Sequence, residues 1–268
     1  MELPFIKYHG SGNDFILIDN RSGKFSSINS QIIKSLCHRN FGIGSDGILF
    51  LDPSVGGIFQ MRFYNPDGSE PGICGNGLCC FLHYLHSNIE QKKQYQISCK
   101  SKLYLGHIQD NKVVIEMDHV RTLKEPFVQE IEGRSYQACQ IFAGVPHLLI
   151  MVEDVDKIEV NRIGRLLRSH PDYQPEGTNV SFLQFMDDVL EVRTYERGVE
   201  AETLCCGSAC ISSGYFAIAH LGKNGSISIL PKSREKIAIN VGSSHNKVEM
   251  KAQATPVFFG VASINSNG

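Results

Sequence analysis

Two short segments carry the side chains best suited to chemistry. Cys74-Gly-Asn-Gly77 and Cys206-Gly-Ser each set a thiol directly before a glycine, at the head of an apolar run with helical spacing. An ionised thiol is a base and a nucleophile. At the first turn of a helix it meets N–H groups that lie outside the helical ladder and the positive end of the dipole. Both effects favour the thiolate, and both would also hold a carboxylate on Gly75 and Asn76 in one segment and on Gly207 and Ser208 in the other. Glycine after each sulfur lets a ligand approach the backbone. Reversible inversion of an amino-acid α-carbon needs an acid/base group on each face. Two thiols, one removing the α-proton and one returning a proton from the other side, meet that need, and the helix ends stabilise the charge that gathers on the carboxylate.

The remaining seven cysteines read differently. Cys205 adjoins Cys206 and competes with it for the basic role; the glycine that follows favours Cys206. Cys79, Cys80 and Cys210 fall within helical runs and read as core, as do the isolated Cys37, Cys99 and Cys139. The clustered spacings of five, one and four do not repeat and do not give the Cys-x2–4-Cys pairs of a structural zinc site, so of bound metals none is expected.

The elements that must carry the two thiols recur in order. Met61-Arg-Phe-Tyr64-Asn resembles Val192-Arg-Thr-Tyr195-Glu, and Glu70-Pro-Gly-Ile-Cys74-Gly resembles Glu202-Thr-Leu-Cys-Cys206-Gly, with Cys206 standing 132 positions after Cys74. Helical spacing is read at 30–38 and 160–169, strands at 46–52, 58–64, 178–184 and 188–195, helices at about 75–88 and 207–221. Strand-like stretches follow at 93–98, 102–107 and 112–117, and again at 226–230, 236–241 and 247–253. The pattern predicts an α+β fold of two pseudo-symmetric domains. Each is a strongly bent, mostly antiparallel sheet or barrel wrapped around a central helix, with the active site in the interdomain cleft. The expected division is 1–118, joined by a C-terminal strand in 256–268, and 119–255, with the boundary near 118–126.

Composition narrows the classes of function. Of 268 residues, 42% are hydrophobic and 20% charged, enough to build a core. The formal net charge of −2 gives no footprint for nucleic acid. No run reaches the length of a membrane span, and the opening residues lack a basic segment followed by an apolar one, so the expectation is a cytoplasmic protein with reduced thiols and no membrane partner. Gly-Ser-Gly-Asn-Asp near residue 10 matches neither phosphate-loop nor dinucleotide order, and no motif points to a pyridoxal or nicotinamide cofactor, so none of these cofactors is expected.

These segments, with His9-Gly-Ser-Gly-Asn13-Asp14-Phe15, Phe41-Gly-Ile-Gly-Ser-Asp46-Gly47, Tyr64-Asn65-Pro-Asp67-Gly68-Ser69-Glu70, Pro146-His147, Thr178-Asn179 and Glu196-Arg197-Gly198, are similar to those of the diaminopimelate epimerase family of pyridoxal-independent amino-acid racemases. The resemblance spans most of the chain. It implies interconversion of LL- and meso-diaminopimelate, on the route to lysine and peptidoglycan, by a small-molecule enzyme and possible homodimer. It implies Cys74 and Cys206 as the acid/base pair, assisted by His147 and Glu196, with Asn13, Asn65, Asn179 and Arg197 holding the amino acid. Val145 stands where the family often has Asn, Cys79 where Arg is usual and Gly177 where Arg is frequent. Val145 and Gly177 extend the expected substrates to a shorter dicarboxylate such as glutamate. Alternatives are a racemase of another amino acid, a phenazine-biosynthesis-like isomerase on the same fold, and a non-catalytic amino-acid- or metal-binding protein.

Overall fold

The computed structural model describes residues 1–242 and 247–264. They form two compact units, one of Met1–Ile115 with the segment from Gln253 onward, the other Glu116–Ala252. The last four residues of the expected C-terminal return, 265–268, lie outside the described residues.

In the first unit, β1 (Glu2–Gly10) and β2 (Asn13–Asp19) form an antiparallel hairpin, and α1 (Ser30–Cys37) crosses to β3 (Gly47–Val55), which runs parallel to β2. β3 turns into antiparallel β4 (Ile58–Tyr64), α2 (Gly75–Asn88) follows, and β5 (Tyr95–Cys99), parallel to β4, leads into β6 (Lys102–Gln109) and β7 (Lys112–Met117). The second unit repeats this order. β8 (Arg121–Ile131), β9 (Arg134–Phe142) and β10 (Pro146–Met151) precede α3 (Val160–Arg168). β11 (Asn179–Met186), parallel to β10, pairs antiparallel with β12 (Val189–Glu196), and short β13 (Ala201–Thr203) leads to α4 (Gly207–His220). β14 (Ser226–Pro231) then runs parallel to β12 before β15 (Ile237–Val241) and β16 (Val248–Ala252). The counterpart of β8 in the first unit is supplied from the far end of the chain: β17 (Thr255–Ser263) pairs antiparallel with β1 along nearly its whole length.

The α+β expectation, with bent sheets around central helices, is what the chain builds. α2 is buried from Asn76 to Leu85 except at His83, and α4 from Gly207 to Ile218 except at Ser208, which marks two helices enclosed by their sheets on most sides. Gly214 lets α4 lie against β15, because a Cβ there would stand 2.6 Å from Ile239 Cβ. α1 and α3 are one-faced and cover the outer side of their sheets. Asn29 caps α1 through its side-chain oxygen, which accepts from the Gln31 and Ile32 N–H groups. Ile33 and Leu36 of α1 pack on Ile16, Ile18, Ile48 and Phe50, while Ile163 and Leu167 of α3 pack on Leu148, Ile150, Val180 and Phe182. Side chains alternate along a strand, so Phe15 in β2 and His147 in β10 point to the inner face, towards α2 and α4.

β1, β2, β8, β9, β10 and β13 are not read from the sequence pattern. β8 occupies much of the 118–126 stretch expected as the boundary; its exposed face is charged and its alternation weak. No helix among the described residues is long and apolar enough to cross a membrane.

Candidate active site

In the first unit, the turn after β4 delivers Cys74 in extended backbone, φ −104° and ψ 122°, to the N-cap of α2. Gly75 opens the helix and Asn76 is buried within its first turn. The inner sheet edge completes the surroundings. Asn13, first residue of β2, accepts through Oδ1 from the Cys74 thiol at 3.5 Å and from Asn76 Nδ2 at 3.5 Å. Asn13 Nδ2 donates to Asp46 Oδ2 at 2.8 Å, and the Asp14 N–H donates to the same oxygen at 3.1 Å. Arg39 bridges the two carboxylates, 2.6 Å from Asp46 and 2.7 Å from Asp14, and buried Lys7 pairs with Asp14 from the other side. Burial alone would raise the Asp14 pKa, but Arg39 and Lys7 together hold it below the usual carboxylate range. Asn65 donates its amide to Ser69 Oγ at 3.1 Å within the 65–69 turn.

The second unit presents the same backbone at Cys206, φ −111° and ψ 112°, as N-cap of α4. Gly207 is buried as the first helical residue. Cys206 Sγ lies 3.4 Å from Ser208 Oγ, which lies 3.0 Å from His147 Nε2. A thiol–hydroxyl–imidazole chain therefore runs from the helix start to β10. Thr203 donates to Glu196 at 3.0 Å. Asn179 ties two strand ends together: its Oδ1 accepts the Arg197 N–H at 2.8 Å and its Nδ2 donates to Pro146 O at 3.3 Å. Arg197 donates through Nη1 to Glu176 O at 2.6 Å. Glu202 serves the frame, gripped by Arg193 at 2.6 Å and Lys232 at 2.7 Å.

The electrostatics correct one expectation. The helix end does not leave Cys206 easily ionised in the free protein: burial, then the neighbouring Glu196 carboxylate, push its thiol well above the ordinary value, and the Ser208 hydroxyl and Ala209 N–H offset only part of this. Burial and the Arg197 charge push His147 down to about 3, so it is neutral at pH 7. Cys205 hydrogen-bonds the Cys210 thiol, and both are buried. Cys37, Cys79, Cys80, Cys99 and Cys139 are buried as well. Gly177, where the family pattern has arginine, adopts φ +68° beneath the Arg168 side chain, whose Nη1 would lie 2.5 Å from a Cβ there. Val145 sits in the short turn before β10. Among the described residues no three His, Cys, Asp or Glu side chains gather as metal ligands.

Sequence reasoning placed both cysteines and the residues after them, but assigned no role to Asp46, Arg39 or Lys7 and no link between Ser208 and His147. The parallel β2–β3 register, Phe15 beside Gly47, is what brings residues 13–14 to Asp46. No local feature of either segment marks the other as its partner.

The diaminopimelate epimerase family profile matches residues 5–123 and again 139–257. The diaminopimelate epimerase of Archaeoglobus fulgidus is 32% identical, over 99% of this chain and 98% of its own. Those of Methanothrix thermoacetophila and Synechocystis are each 34% identical, over 98% of this chain and 96% and 100% of theirs. Among solved structures, a phenazine biosynthesis PhzF-family protein of Enterococcus faecalis superposes with TM-score 0.74 at 15% identity, covering 98% of this chain and all of that one. A hydroxyproline epimerase of Agrobacterium vitis, with bound trans-4-hydroxy-L-proline, gives 0.69 at 12% identity, covering 99% and 94%. These two likenesses concern the fold.

Proposed function

Because the chain belongs to the diaminopimelate epimerase family, we propose that it interconverts LL- and meso-diaminopimelate without pyridoxal phosphate, using Cys74 and Cys206 as its two acid/base groups. The observation that carries this reading is the duplicated thiol: each unit sets one cysteine, in matching extended backbone, at the start of an enclosed helix. One sulfur, as thiolate, takes the α-proton and becomes a thiol. The electron pair left behind spreads into the carboxylate, where helix N–H groups and dipoles stabilise it. The other sulfur, as thiol, gives its proton to the opposite face and becomes the thiolate. Each turnover therefore leaves the pair with exchanged protonation, and proton exchange with solvent resets it.

The neighbours divide the remaining tasks. Ser208 and neutral His147 hydrogen-bond in line with Cys206, and Glu196 opposes its premature ionisation. Arg197 spends Nη1 on Glu176 and offers its other nitrogens to a carboxylate. Asn13, Asn65, Gly75, Asn76, Asn179, Gly207 and Ser208 hold the rest of the amino acid. Turnover extends to glutamate, in keeping with Val145 and Gly177. Nine free cysteines support a reducing, cytoplasmic setting for the enzyme.

The reading includes a homodimer. β8 and β17 hold equivalent places in the repeat; β8 carries Arg121, Lys124, Glu125 and Glu130, whereas β17 has no charge and exposes Val257, Phe258, Phe259 and Val261. An uncharged apolar edge of this kind calls for cover. Light scattering on the purified chain is expected to give twice the monomer mass, and Val261→Lys to shift it towards monomer; a monomeric parent overturns this element.

Epimerisation in heavy water tests the whole. The product is expected to carry α-deuterium, and Cys74→Ala and Cys206→Ala each to lower turnover by about 10²–10⁴-fold, the usual worth of a general acid or base. Full activity in either variant, or loss of activity on hydroxylamine treatment, refutes the two-thiol, pyridoxal-free mechanism. A panel of LL- and meso-diaminopimelate, glutamate and aspartate reads the breadth.

A further inference from the structure

One contact fixes which end of the Asn13 carboxamide faces which neighbour, and two more agree with it. Asp46 Oδ2 is an acceptor, so the group 2.8 Å from it must be the amide nitrogen. The carboxamide oxygen then faces the other way, where Asn76 Nδ2 and the Cys74 thiol each donate to it at 3.5 Å. Asp46 is itself pinned: its Oδ2 also accepts the Asp14 N–H, its Oδ1 accepts from Arg39, and its own N–H donates to Asp14 O at 2.8 Å. Asp14 is held in turn by Arg39 and Lys7.

We propose that Asp46 is a positioning residue, which locks the Asn13 carboxamide with its oxygen towards the Cys74 sulfur and its nitrogen away. The inference rests on reading Cys74 as an acid/base group. An oxygen at that place accepts from the neutral thiol and opposes a thiolate, whereas an amide nitrogen turned there would donate to the thiolate and favour it. Asp46 thus keeps the Cys74 proton in place and its S–H aimed along one line until substrate arrives. A neutral amide at position 46 could donate as well as accept, and would release Asn13 to turn over.

Alkylation by iodoacetamide reads this without substrate, since only the thiolate reacts. Cys74 is the one cysteine of nine that is not buried, so its modification is followed on its own peptide by mass spectrometry. At fixed neutral pH, Asp46→Asn is expected to speed Cys74 alkylation about tenfold, the equivalent of one pH unit in thiol ionisation. Asn13→Ala, which removes the oxygen, is expected to speed it by a similar factor, and adding Asp46→Asn to Asn13→Ala to change it less than twofold. This last arm separates amide polarity from the direct loss of a negative charge. An unchanged rate in Asn13→Ala, an unchanged rate in a folded Asp46→Asn, or equal acceleration by Asp46→Asn in both backgrounds overturns the proposal. Epimerisation of diaminopimelate by the parent chain is measured beside it: absence of turnover there counts against the proposed function, whereas the alkylation rates alone decide the role of Asp46.

Discussion

His147 shows how burial decides what a titratable side chain can do. It is fully enclosed, with Nε2 on Ser208 and Nδ1 without a hydrogen-bond partner among the described residues. Burial first, and the Arg197 charge second, hold its pKa near 3. An imidazole that stays neutral throughout the physiological range cannot add a cation beside Cys206; it can relay only a hydrogen bond through Ser208. Stability carries the same signature. The unfolded chain binds a proton at His147 below about pH 6.5, the folded chain only below about 3, so the unfolded state holds more protons across that window and stability falls as pH drops through it. The fall amounts to at most about 1.4 kcal/mol per pH unit from this group. Urea unfolding at pH 6, 5 and 4 is expected to show a shallower decline in His147→Asn than in the parent, by about one proton. Parallel declines would show that His147 takes up its proton equally in both states.

Helix packing is where sequence pattern and three-dimensional form agree best. α2 and α4 are legible because their runs are long and mostly apolar, and α1 and α3 because their apolar residues return at helical spacing. What the pattern conceals is the close approach: α4 meets β15 through Gly214, with Ile239 Cβ 2.6 Å from where a Cβ would stand. Gly214→Ala is expected to cost about 1–3 kcal/mol by overpacking, despite alanine's better helix propensity. A thermal midpoint equal to the parent's would show that α4 can shift aside. Strands were legible where a buried face alternates with an exposed one, as in β4 and β12. β8 lacked that alternation, and β10 carries its chemistry in Pro146-His147, which reads as a motif before it reads as a strand. The candidate site divided along the same line. Cys74 and Cys206 were visible because a thiol, a glycine and a helix start are neighbours in sequence. Asp46 was not, because it meets Asn13 across a parallel ladder with α1 in between, and nothing local in either segment announces the other.

The duplication sets the order in which the chain closes on itself. Every strand of the second unit, from β8 to β16, comes from one continuous stretch. The first unit lacks the strand equivalent to β8 until β17 returns and pairs with β1, from Glu2 opposite Ser263 to His9 opposite Thr255. The join is more than a backbone ladder. Phe258 packs edge-on against Phe5 at 5.8 Å, Gly260 lies under the Phe5 ring, and the Ile264 N–H donates to Met1 O at 2.9 Å. Without β17, one edge of β1 loses its hydrogen-bond partners and buried Leu3 and Phe5 face water. The second unit keeps all of its own strands. Truncation after Gln253 is therefore expected to lower the melting of the first unit by 10 °C or more while leaving the second unchanged, splitting the unfolding trace into two steps. Hydrogen exchange gives the local reading: amides of β1 are expected to lose protection, those of β9 and β10 to keep it, and a synthetic 254–264 peptide to restore β1. Undiminished protection of β1 in the truncated chain would show that the first unit folds without the strand its counterpart carries as β8.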